Sequence, residues 1–284
     1  MLATLKAWLI AAHAFPLCAV MALTALIAFA SSDGTPEALR MVLLLVAMLG
    51  SQLAIGWSND YLDREADAVY QPWKPVARGQ VGASKLPPAI AVALVVSAVA
   101  GFALGWEPFV LLLIGTSAGL SYNLWLKRTP LSGLPFLVAL GVLPPFVWTA
   151  LDVYQDEFLG LYLVATPLAL ATHLANVLPD FESDQAQGRK TLAVSLGLFT
   201  SVALLVGCLV SILLLTLVAG VTFVEYEREV LVPALTVYIV LVAIAVLLYV
   251  VSLRNFSRSA LVWAFRCVVV ASVLFVGGWL AAVA

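Results

Sequence analysis

Of 284 residues, 63% are hydrophobic and only 11% charged, with a formal net charge of −2 and a mean hydropathy of +1.08. These values lie outside the range of soluble domains; the net charge says little about partners, and no nucleic-acid partner is expected. The chain is expected to be an all-α integral membrane protein forming a single transmembrane domain over residues 1–284. A membrane barrel is excluded because barrel strands alternate apolar and polar residues, whereas the runs here are apolar all round.

A helix needs about 20 apolar residues to cross the hydrocarbon core, and nine candidate runs consume nearly the whole chain: Leu5 to Ala30, Met41 to Trp57, Pro87 to Leu104, Phe109 to Leu126, Leu131 to Leu151, Phe158 to Leu178, Leu192 to Val224, Val230 to Leu253 and Ala260 to Ala284. The first is too long for a signal peptide and lacks a clear cleavage site, so it is read as a retained helix. It carries His13, expected to bond a nearby carbonyl, and Pro16, expected to kink the helix. The second run descends to Asn59-Asp60-Tyr61-Leu62-Asp63-Arg64-Glu65-Ala66-Asp67.

The loop beyond, Ala68 to Leu86, contains Lys74-Pro75-Val76-Ala77-Arg78-Gly79, where prolines fix an extended path and Gly79 permits a turn. An ordered loop closing over the aspartates and a plain solvated loop both remain open. The fourth run ends in Ser121-Tyr122-Asn123-Leu124-Trp125-Leu126-Lys127-Arg128, placing a phenol, an amide and cations near the acidic stretch, although interfacial Tyr, Trp and Lys are also common anchors. Pro135, Pro144, Pro145, Pro167 and Pro179 kink the fifth and sixth helices, which is tolerated where protein lines a cavity. The sixth presents Thr172, His173 and Asn176, then Asp180, Glu182 and Asp184, and then Gly188-Arg189-Lys190.

The last three runs, with their loops Glu225 to Glu229 and Arg254 to Ser259, read as scaffold. Cys18, Cys208 and Cys267 read as small core residues. If the helices alternate, Lys6, Arg64, Lys74, Arg78, Lys85, Lys127, Arg128, Arg189, Lys190, Arg254 and Arg258 share one side, against Arg40 and Arg228 on the other. The positive-inside rule then puts the N-terminus and both acidic stretches in the cytoplasm. The expected location is the cell (inner) membrane.

Asn59, Asp63 and Asp67 recur at i, i+4 and i+8, stepping round a helix by only about 40° each time, so they share one face. Asn176, Asp180 and Asp184 repeat that spacing. An Asp at the centre of a membrane helix costs about 2.5 to 3.5 kcal/mol on insertion scales, so two such clusters need a compensating partner. A solvated juxtamembrane loop is the bland alternative, and duplication at matched spacing argues against it.

Carboxylate oxygens with an Asn amide suit Mg²⁺, which commonly bridges one or two carboxylates to a substrate phosphate. The expected metal ligands are Asn59, Asp60, Asp63, Asp67, Asn176, Asp180 and Asp184, holding two or more ions. Lys74, Arg78, Asn123, Lys127, Arg128, Arg189 and Lys190 are expected to meet the remaining phosphate oxygens. A diphosphate at the mouth of an apolar cavity fits an isoprenoid diphosphate. Metals and cations would stabilise its departure, leaving an allylic carbocation for an acceptor to attack.

With these motifs in view, the chain resembles the UbiA superfamily of intramembrane prenyltransferases along essentially its whole length. Asn59-Asp60-x-x-Asp63-x-x-x-Asp67 resembles the first aspartate motif, and Asp180-x-x-x-Asp184 with Gly188 and Thr191 the second. Lys74 to Gly79 resembles the basic stretch after the first motif, and Tyr122 to Lys127 the segment closing the fourth helix. The resemblance implies nine helices around a central cavity, Mg²⁺ dependence and prenyl transfer from a polyprenyl diphosphate. Members acting on aromatic acids often carry an Arg in the first helix, where this sequence has His13.

The leading expectation is transfer to an aromatic or quinone-precursor acceptor. Asp63 and Asp180 serve as catalytic aspartates, Lys127 contacts the diphosphate, and Tyr122 faces the carbocation through a cation–π contact worth about 0.5 to 2 kcal/mol. The apolar middles hold no Lys or Arg except Arg266, so a buried acceptor carboxylate would lack a partner. A neutral phenol or hydroquinone avoids that conflict. His173, one turn before Asn176, is expected either to accept its proton or merely to bond a kinked-helix carbonyl. The competing readings are a lipid or sugar-phosphate acceptor, a terpene cyclase and a cation transporter; the oligomeric state is left open.

Overall fold

A computed structural model describes residues 2–222 and 225–283, which are helical with no strand among them. The chain opens with α1 (Leu2–Ala11) and α2 (Ala14–Ala30), whose axes differ by 70°. Pro16 has no N–H to give the carbonyl of Ala12 and its ring crowds that carbonyl, so the helix breaks upstream of the proline instead of kinking at it. His13 sits at the elbow in the left-handed region, with φ 55.

Then follows α3 (Ala38–Tyr70), whose 33 residues extend roughly 50 Å at 1.5 Å each. That exceeds the hydrocarbon core of about 30 Å, so α3 runs past the expected end at Trp57 and carries the whole acidic stretch beyond it. The helices α4 (Leu86–Leu104), α5 (Trp106–Leu124), α6 (Leu134–Leu151), α7 (Leu161–Val177) and α8 (Phe181–Ala186) come next. The expected seventh run is divided at Gly197, with φ 82, into α9 (Leu192–Leu196) and α10 (Leu198–Thr222). α11 (Arg228–Arg254) and α12 (Arg258–Ala281) complete the bundle. The expected helix ends at Val224 and Ala284 lie outside the described residues.

Among the described residues, 7 helices are long and apolar enough to span a membrane, or 8 if the bent α1–α2 pair counts as one span. Nine were expected. α5 is not among the 7 because Glu107, Thr116, Ser117, Ser121, Tyr122 and Asn123 dilute its 19 residues. The protein is an integral membrane protein. Its core is aromatic where helices cross, with Trp148, Phe158, Tyr238, Phe275 and Trp279 almost fully buried.

Between α2, α3, α5, α6, α7 and α12 lies a cavity of about 250 Å³. A second chamber of about 90 Å³ continues from it, sharing Val20, Leu140, Leu143 and Val269 as wall. Apolar side chains dominate the walls of both; His13, Asn59, Tyr122, Asn123 and Asn176 form a polar group at one end of the larger chamber, while Ser51, Gln52, Thr116 and Thr172 lie deeper along its walls.

Candidate active site

At that polar end the acidic face of α3 approaches the segment that follows α8. Lys127, 6% exposed, makes a direct ion pair with Asp63 Oδ2. Burial holds the Lys127 ammonium below the usual lysine range in spite of Asp63. The other oxygen, Asp63 Oδ1, is buried without a hydrogen bond and has only longer contacts, to Arg128 at 3.6 Å and Arg189 at 3.8 Å. Arg189 reaches the second cluster as well, donating to Asp184 Oδ1 at 3.0 Å. A single guanidinium thus ties the two acidic motifs together across the cavity mouth.

The remaining carboxylates are paired in the same manner. Lys74 donates to Asp67 Oδ2 at 2.8 Å and lies 3.3 Å from Asp60 Oδ1. Burial alone would lower the Lys74 ammonium, but Asp60 and Asp67 hold it above the ordinary lysine value. Arg258 donates to Asp180 Oδ1 at 3.0 Å. Asn59 donates its amide to Asn123 Oδ1 at 3.0 Å.

Residues 18–269 match the UbiA prenyltransferase family. The chain belongs to that family. Relatives of this UbiA-family chain include a digeranylgeranylglyceryl phosphate synthase from Korarchaeum cryptofilum, 30% identical over 156 residues, covering 54% of this chain and 53% of the relative. Another is the bacteriochlorophyll synthase 33 kDa chain of Rhodobacter capsulatus, 34% identical over 170 residues, covering 55% and 56%. The match thus spans about half the length of these curated relatives. A UbiA homologue from Archaeoglobus fulgidus bound to GPP and Mg²⁺ superposes with a TM-score of 0.70 at 17% identity, covering 97% of this chain and 99% of the other.

The UbiA-family chain arranges several expected residues differently. Asp60, expected as a metal ligand, is 1% exposed and committed to Lys74 and to His13 Nε2 at 3.0 Å. It follows Asn59 directly, about 100° round the helix, and so points toward the elbow. His13 therefore bonds a carboxylate, not the carbonyl expected. Asn123, expected on the diphosphate, spends its Nδ2 on Ile55 O at 2.7 Å and Ser58 Oγ at 2.8 Å, and its Oδ1 on Asn59. It positions Asn59 instead.

His173 is 0% exposed. Its Nε2 lies 3.1 Å from Ser132 Oγ, and its ring packs on Phe136 at 4.9 Å. It lines neither chamber and bonds a hydroxyl, not the carbonyl expected. Arg78 and Lys190 are exposed; Arg78 Nε donates to Pro72 O at 3.4 Å, and no carboxylate contact brings either into the site. Arg258, read as part of a scaffold loop, is a site residue, and no local motif signals a contact made 78 positions away.

The donor set fits Mg²⁺. Asp63, Asp67, Asp180 and Asp184 are hard oxygen donors, and Asp63 Oδ1, which accepts no hydrogen bond, has its lone pairs free. No three His, Cys, Asp or Glu converge as a metal cage among the described residues. Mg²⁺ does not need one, since it typically takes one or two carboxylates and completes its shell with water and phosphate.

Proposed function

We propose that this protein transfers a prenyl group from a prenyl diphosphate to an acceptor lodged in the cavity. The observation that carries the reading is the chain of contacts Lys127, Asp63, Arg189, Asp184 at the mouth of an apolar chamber. Asp63 and Asp67 on one side, with Asp180, Asp184 and Asn176 on the other, would hold Mg²⁺. Bound there, the metal supplies Lewis-acid stabilisation of the departing diphosphate.

The protein's own cations supply the rest. Lys127, Arg128 and Arg189 lie within reach of Asp63 and can turn to phosphate oxygens once metal neutralises that carboxylate. The bond between the allylic carbon and the diphosphate oxygen breaks, its electron pair leaving with the diphosphate. The acceptor nucleophile then bonds to the allylic carbon and gives up a proton. Tyr122, on the cavity wall, presents a ring to the cationic carbon, and the apolar lining keeps water from it.

We favour a lipid-type acceptor over the aromatic or quinone precursor expected from sequence. Relatives named as digeranylgeranylglyceryl phosphate synthases support it, as does a cavity lined mainly by apolar side chains. By the positive-inside rule that end faces the cytoplasm of the cell membrane. The experiment is incubation of proteoliposomes with radiolabelled geranylgeranyl diphosphate and total membrane lipid, with Mg²⁺ or with chelator. A labelled lipid adduct that requires Mg²⁺ is expected. A released hydrocarbon would indicate a cyclase, and the absence of both products would overturn the reading.

A further inference from the structure

Arg266 stands apart from every cation at the site. It is the one Lys or Arg in the apolar interior of a described spanning helix, eight residues into α12 from Arg258, or about 12 Å along the axis. Its guanidinium lies 4.6 Å from the Trp263 ring centroid and 5.7 Å from that of Phe15. Among the described residues it makes no ion pair or hydrogen bond. An ionisable group within a membrane-spanning helix marks a candidate site by default, and half-buried Arg266 meets two aromatic rings but no anion among the described residues.

The surroundings specify which anion it would take. Aromatic rings cover the guanidinium, while its N–H donors, which lie in the plane, remain unmatched. That geometry accepts a planar pair of oxygens approaching edge-on, the fork that Arg offers to phosphate. Helix side chains tilt toward the N-terminus, and the stacking on Trp263, one turn nearer Arg258, shows Arg266 doing so. The guanidinium thus points toward the membrane face bearing the aspartates, the level of lipid headgroups. Trp263 is 59% exposed, so the site opens outward.

It also adjoins the cavity. Phe15 lies in the first turn of α2, two residues past His13 at the elbow and next to Pro16, and stacks edge-on against Phe265 at 5.7 Å; His13, Pro16 and Phe265 all line the cavity. We infer that Arg266 binds the phosphate headgroup of an anionic amphiphile, seated where the α1–α2 elbow meets α12. The phosphate has two possible sources, a bilayer lipid or a phosphate-bearing acceptor on its way to the cavity.

The test uses wild type and Arg266→Gln in phosphatidylcholine vesicles containing trace spin-labelled phosphatidic acid or spin-labelled phosphatidylcholine. Wild type should immobilise phosphatidic acid preferentially. The variant should lose that preference by about tenfold, the scale of a charge-assisted hydrogen bond, with prenyl diphosphate binding unchanged. Arg266→Lys, which keeps the charge without the fork, should retain part of it and carries the test if the Gln variant does not fold.

A second arm compares turnover of a monoprenyl glyceryl phosphate and its dephosphorylated alcohol. If KM for the phosphate rises in Arg266→Gln while kcat and the alcohol's KM hold, the headgroup is the acceptor's. If only the spin-label preference is lost, it is a bilayer lipid's. No preference in wild type, or one that survives in Arg266→Gln, overturns the inference. Wild type that selects phosphatidic acid but turns over neither acceptor leaves this site standing and removes the lipid-acceptor reading.

Discussion

Asp63 is the residue on which the site turns, because one oxygen is held by Lys127 and the other is left without a hydrogen bond in a buried setting. Asp63→Asn keeps the shape and an acceptor for Lys127 but removes the charge a metal needs. We expect it, and likewise Asp180→Asn, to abolish turnover while the protein still folds in detergent; robust activity in either would exclude the metal-diphosphate reading. His173→Ala should behave in the opposite way. It deletes a ring packed on Phe136 and one of the two hydrogen bonds at Ser132 Oγ, so thermal unfolding should show a loss of about 1 to 3 kcal/mol with kcat little changed. A fall in kcat without loss of stability would restore the proton acceptor expected from sequence. The aspartates were legible because i, i+4 spacing is itself a statement about a helix face. Histidine roles were not, because the partners of His13 and His173 lie 47 and 41 positions away.

At the scale of the helices, close approach is set by glycine. A Cβ on Gly50 would lie 2.6 Å from Ala93 O, and one on Gly56 would lie 2.5 Å from Ala12 O. Gly50 thus fixes how α3 meets α4, and Gly56 how α3 meets the elbow. Either Gly→Ala change should cost about 1 to 3 kcal/mol through overpacking, read as a lowered unfolding midpoint. Gly207→Ala, where nothing lies within 4 Å, should be neutral or stabilising by up to about 1 kcal/mol; a loss at Gly207 equal to that at Gly50 would refute this assignment of contacts. Hydropathy located nearly every helix, since an apolar run of membrane length has few other fates. It missed the elbow and the division at Gly197 because a broken apolar run is as apolar as a continuous one. It also stopped α3 at Trp57, since the helix outlasts the hydrocarbon and its last turns are held by ion pairs instead of lipid.

Across the whole molecule, on the proposed reading, the apolar chambers would hold a hydrocarbon tail and the charged mouth would handle a diphosphate. At the mouth, Asp63, Asp67, Asp180 and Asp184 face Lys127, Lys74, Arg258 and Arg189, so the resting site is already neutralised by its own side chains. A metal arriving alone would strand those cations, and a diphosphate arriving alone would strand the carboxylates. Together they allow an exchange of partners, metal to carboxylate and cation to phosphate. Mg²⁺ and prenyl diphosphate should therefore raise each other's affinity by one common factor, on the order of 5- to 150-fold for a typical coupling. Calorimetry with a non-reactive diphosphate analogue would measure it in both directions, and independent affinities would show that the ion pairs do not exchange. Such a site responds to coincidence. With that coupling, magnesium without substrate and free diphosphate without magnesium would each bind weakly, and the site would fill when both are present.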